Sequence, residues 1–191
     1  EDVLLLSGAG EGDINEPIRD SYVSRVRWLI ANLLTALLGA TIISSFGGAI
    51  EKLVALAALS PMVASIGGNA GTQTMAVAVR ALATNQLTRA NTGRILWREM
   101  RVALLNGVTV ALLIGIATAL VFSNPLLGAV IATAVVVNIV TAGLAGVIVP
   151  VLFDRFGQDP AVASSVFVTM ITDSMGFFAF LGLAVASGLV G

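Results

Sequence analysis

A single carboxylate stands near the middle of a long apolar run. Residues 162–185 read VASSVFVTMITDSMGFFAFLGLAV, and Asp173 is the one charged side chain among them. A charge at the centre of a bilayer costs about 2.5–3.5 kcal/mol on insertion scales, so it is retained where it faces protein or water. At helical spacing Ser165, Thr169, Asp173 and Gly176 share one face. Phe167, Phe178 and Leu181 lie largely away from it, on a bulky side suited to lipid. No Lys or Arg stands at the depth of Asp173, and Arg80 belongs toward the end of another span. One structural reading is a protonated Asp173 hydrogen-bonded to Asn138 or Asn106. The functional reading is a pathway for a cation or a proton.

The chain contains no Cys and no His, which removes thiolate and imidazole ligands and leaves soft metals poorly served. Carboxylate, hydroxyl, amide and backbone carbonyl oxygens suit hard cations: Na⁺, Mg²⁺, Ca²⁺ or a proton. One carboxylate per chain is thin for a divalent ion, whereas two chains meeting at a two-fold axis would bring a pair. Mg²⁺ keeps part of its water shell, so paired carboxylates holding a hydrated ion suit it. No nucleophile with a neighbouring base is apparent, so an enzyme is not expected.

A second motif is PMVASIGGNAGTQT, residues 61–74. Its glycines and polar side chains weaken a helix at membrane depth, so the span is expected to be interrupted over residues 66–73. Freed carbonyls there could help coordinate an ion. The competing reading is close packing, with Gly67 and Gly71 as a G-x-x-x-G pair. Asn106 and Asn138 read as hydrogen-bonding glue between helices, and Met170 and Met175 as gap-fillers.

These residues need long apolar helices to hold them. Of 191 residues, 57% are hydrophobic and 11% charged, with a net charge of −1, so nothing points to nucleic acid. The fold class is all-α integral membrane, with five spans at about 28–46, 61–83, 100–122, 126–152 and 161–189. GGAIEK, 47–52, is expected to be a turn, and residues 53–60 a short apolar segment ending at Pro61. Polar loops are expected at 83–94 and 154–160, and a tight turn at 123–125. Nine of the ten basic residues precede span one, surround the loop between spans two and three, or lie between spans four and five; Lys52 is the exception. The positive-inside rule then places the N-terminus in the cytoplasm and the C-terminus outside. The chain opens Glu-Asp with no signal-peptide pattern, and is expected to be a fragment of a longer protein.

GGNAGTQ in span two, DPA opening span five, and Thr172, Asp173, Gly176 and Phe177 within it resemble the MgtE family of Mg²⁺ channels. The resemblance covers about residues 26–190. It implies a cytoplasmic linker and plug-type helix at 1–25, a five-helix pore domain at 26–191, and N and CBS regulatory domains upstream. It implies a homodimer in the cell membrane, multi-pass, with the pore on the two-fold axis. Asp173 from each chain would recognise hydrated Mg²⁺ through its waters, assisted by the carbonyl of Thr169. Gly67, Gly68, Asn69, Gly71, Ser165, Thr172 and Gly176 are the accompanying pore-lining or structural candidates. The alternative is a proton- or Na⁺-coupled transporter of a divalent cation or small solute. A single carboxylate within the spans, without a His relay, leans against proton coupling.

Overall fold

The computed structural model describes residues 17–88 and 90–190, the side chains of 161–163 excepted. Most of the expected linker and loop residue Arg89 lie outside the described residues. The described residues form six helices and no strands: α1 (Ile18–Ser45), α2 (Gly47–Lys52), α3 (Ala55–Ala83), α4 (Thr92–Val121), α5 (Pro125–Arg155) and α6 (Pro160–Ala186). Four stretches are long and apolar enough to cross a membrane: α1, α4, α5 and the Ser164–Ala186 part of α6. The 29 residues of α3 match them in length. Exposed Ser65, Asn69, Thr72 and Gln73 lower its apolarity.

Several boundaries differ from those expected. GGAIEK is the short helix α2 rather than a turn. Residues 55–60 belong to α3, and Pro61 sits inside that helix. Residues 18–25 form the first turns of α1 without a break before the span. The 123–125 turn is as expected: Ser123 takes φ 48°, Asn124 Oδ1 accepts from the Leu127 N–H at 3.0 Å, and Pro125 opens α5.

α3 is continuous through residues 66–73, which corrects the expected interruption. The glycines lower helix propensity, but they also bare the backbone so that two other helices can approach. A Cβ on Gly71 would lie 2.7 Å from Val168 Cγ1 and 3.3 Å from the Thr172 methyl. One on Gly67 would collide with the Asn138 carboxamide. Gly67 and Gly71 of the motif form a packing surface.

Contacts at small residues also fix helix directions. Gly67 meets Asn138 and Gly146 meets Thr74, so α3 and α5 run parallel. Gly176 meets Ala64 while Gly71 meets Val168, so α6 runs antiparallel to α3. Gly115 meets Ala132 and Gly143 meets Ala103, so α4 is antiparallel to α5. Gly39 packs against Phe177, and Phe46 edge-on against Phe178 with ring centroids 6.2 Å apart, so α1 runs with α6. These directions bring every described arginine to one end of the bundle, all exposed. Lys52 lies at the other end, where its Nζ donates to the Val190 carbonyl at 3.1 Å.

α5 is the centre of the bundle, packed by α3, α4 and α6, and its buried residues run from Leu127 to Val151. α1 is the opposite case. It packs chiefly against α6, and Leu29, Leu33, Leu34 and Leu37 are exposed.

Candidate functional site

Asp173 lies on α6, next in sequence to a residue wedged against α3. Thr172 is fully buried. Its methyl faces Gly71, and its hydroxyl donates to the Thr169 carbonyl at 3.0 Å. Burial of Thr172 at this seam turns the next residue outward, and Asp173 is only partly buried. Among the described residues its carboxylate makes no ion pair and no side-chain hydrogen bond.

Ser165 and Thr169 are partly buried, as is Asp173 four residues past Thr169, so α6 presents a continuous polar strip that the chain itself does not cover. At the same depth α3 turns Ser65, Asn69 and Thr72 outward. The Thr72 hydroxyl is tied to the Gly68 carbonyl at 2.9 Å. The open surface beside Asp173 therefore carries hydroxyls, a carboxamide and a carboxylate.

The other candidates divide by exposure. Gly67, Gly71, Thr172 and Gly176 are buried in the seam between α3, α5 and α6. Gly68 is partly buried and Asn69 exposed, on the side of the polar strip. Gly176 does not share the open face with Asp173, because a Cβ there would lie 2.7 Å from Asn138 Nδ2 and 3.0 Å from Ala64 Cα. Leu181 is also not on a lipid-facing side. It is fully buried in the core, while Phe167 and Phe178 are exposed as expected.

Asn138 is the polar pin of this seam. It is fully buried, and its Nδ2 donates to the Val63 carbonyl at 2.9 Å. Its Oδ1 is buried with no hydrogen-bond partner. The carboxamide fits because Gly67 and Gly176 leave room on both sides. It is interhelical glue, and it does not pair with Asp173.

The sequence reading missed a second carboxylate. A span starting near residue 100 leaves Glu99 just outside it. α4 begins at Thr92, which puts Glu99 about two turns inside the helix. Glu99 is 7% exposed, and its Oε1 accepts from Arg98 Nη1. It lines a cavity of about 160 Å³ between α3 and α4, together with Gln73, Thr74 and Asn106. The available signal was spacing: Glu99, Val102, Ala103 and Asn106 recur at i, i+3, i+4 and i+7, as do Ala70, Gln73, Thr74 and Val77.

Residues 60–183 match MgtE, a family described as divalent cation transporters. The chain is similar to a protein named magnesium transporter MgtE from Bacillus subtilis (strain 168), 33% identical over 162 residues, covering 85% of this chain and 36% of that protein. It is 34% identical over 179 residues to one of the same name from Enterococcus faecalis, covering 94% of this chain and 40% of the relative. A third, from Thermus thermophilus, is 34% identical over 163 residues, covering 85% and 36%. The chain thus spans 36–40% of the length of these curated relatives.

Proposed function

Because the chain belongs to the MgtE family of divalent cation transporters, we propose that it is the membrane pore of a Mg²⁺ channel, with Asp173 at the ion-recognising position. It is a multi-pass membrane protein. In this reading α3 crosses the bilayer along with the four more apolar helices. The arginine-rich end faces the cytoplasm, in keeping with the positive-inside rule.

The observation that carries the reading is the open carboxylate. Asp173 lies at membrane depth on a polar strip, without a cationic partner among the described residues. Left facing lipid, that strip would be costly. Two copies related by a two-fold axis would turn both strips onto one water-filled path, where a hydrated dication offsets the paired charges. Mg²⁺ sheds its waters reluctantly, so recognition runs through the shell: the carboxylates accept hydrogen bonds from ion-bound water. The Thr169 carbonyl accepts from the Asp173 N–H within the helix and from the Thr172 hydroxyl, so a water of the same shell reaches it by taking the place of that hydroxyl. Ser65, Asn69 and Thr72 of α3 complete the polar wall. No chemical step occurs: the protein substitutes fixed oxygens for bulk water along the path.

Potential-driven Mg²⁺ uptake into proteoliposomes, with no pH or Na⁺ gradient, tests this. Asp173→Asn is expected to lower uptake by about 10²-fold, the scale of losing a charge-assisted hydrogen bond to the ion's water shell, while the variant stays folded. Parent-level uptake by Asp173→Asn would overturn the assignment. Uptake that appears only with a pH or Na⁺ gradient would instead indicate coupled transport.

A further inference from the structure

The cavity between α3 and α4 is separate from the Asp173 strip and has its own charged group. The two helices flank α5 without packing closely against each other. On one side Gly143 admits Ala103 of α4, and on the other Gly146 admits Thr74 of α3. α5 therefore forms the floor and holds its neighbours apart above it. Into this cleft the helices turn Gln73 and Thr74 from α3, and Glu99 and Asn106 from α4. Two carboxamides, a hydroxyl and a carboxylate converge where a helix surface would otherwise meet lipid. Intramembrane carboxylates and amides are costly against lipid and mark ion sites or polar contacts.

We propose that this cleft is a second cation site, selective for a hard divalent ion that keeps part of its water shell. Every side-chain donor facing the cavity can offer oxygen, the ligand type such ions take. About 160 Å³ holds roughly five waters at liquid density, room for an ion with a partial shell. Glu99 supplies the charge, and it is more than nine-tenths buried. Its present partner, Arg98, is the preceding residue on the same helix, with a side chain 65% exposed. Adjacent helical residues do not face each other, so the guanidinium reaches Glu99 from the bilayer surface and can swing back to water. Arg98 then acts as a built-in competitor, holding the carboxylate when no cation is present. Arg80 on α3 and Arg94 and Arg101 on α4 are exposed and do not line the cleft. The inference does not depend on the assignment of Asp173.

Mn²⁺ is the probe, titrated onto the purified full chain in phosphatidylcholine nanodiscs, with free Mn²⁺ read by electron paramagnetic resonance. Glu99→Gln is expected to lose a class of bound Mn²⁺ that Asp173→Asn retains. Arg98→Gln is expected to tighten that same class about threefold, the scale of releasing an ion pair whose cationic partner is exposed; misfolding does not produce such a gain, so this variant decides the matter if Glu99→Gln fails to fold. Binding by Glu99→Gln indistinguishable from the parent would overturn the proposal, as would unchanged affinity in Arg98→Gln. Loss of a class in Glu99→Gln with no change in Asp173→Asn would leave this site standing and remove the axial one.

Discussion

The two sides of α3 solve opposite problems with adjacent residues. Toward α5 and α6 it presents Gly67 and Gly71, and the helices close to backbone contact around Asn138. Toward α4 it presents Ala70, Gln73 and Thr74, and the helices stay apart over a cavity. Both sides carry small and polar residues, so composition alone does not separate them. What separates them is whether a neighbouring side chain enters the space that a missing Cβ leaves. Without a hydrophobic drive between helices in lipid, this close fit is a main source of association. The dense side is therefore the scaffold that sets Asp173, and the open side is free to take an ion.

The contrast is broken most directly by enlarging neighbouring residues. Gly71→Leu is expected to be the most damaging change, about 3 kcal/mol or more, because Val168, Thr172 and Ala142 surround the position. Ala70→Leu, one residue away and lining the cleft, is expected to stay within about 1 kcal/mol of the parent. Thermal unfolding in detergent checks both, and equal losses would erase the distinction.

Asn138→Ala comes next, at about 2–3 kcal/mol, from a small cavity and the lost bond to the Val63 carbonyl. The same melting experiment reads it, and an unchanged midpoint would mean that the pin holds nothing. Thr172→Val sharpens the comparison at its edge. It keeps the shape against Gly71 and removes the hydrogen bond to the Thr169 carbonyl, so stability is expected to fall by about 1 kcal/mol. If that carbonyl serves the ion path, Mg²⁺ uptake changes while the protein stays folded. Unaltered uptake would detach Thr169 from the path. The smallest effect is expected for Gln73→Glu, within about 0.5 kcal/mol in stability because the side chain is exposed. It adds a second carboxylate to the cleft, and stronger Mn²⁺ binding by this variant is the expected readout.

The sequence by itself determined the apolar spans of α1, α4, α5 and α6 and which carboxylate stands alone. Apolar runs of membrane length predict spans from local composition, and Asp173 is conspicuous because nothing basic is near it along its own helix. The Ser-Asn-Pro turn is equally local, since capping and φ preference act within a few residues. The path of α3, the role of its glycines, the burial of Leu181 and the cleft at Glu99 were decided by tertiary structure. A glycine that breaks a lone helix supports one that other helices press against, and the sequence of α3 does not say what presses. Leu181 follows the same rule: helical spacing assigns it a face, but the crossing of α6 over its neighbours decides that the face is core. Glu99 is the converse. Its place among arginines suggests a surface charge, and only an earlier helix start and the spacing of α3 from α4 bury it beside Asn106. Local energetics select the element, while contacts between elements select what each of its faces meets.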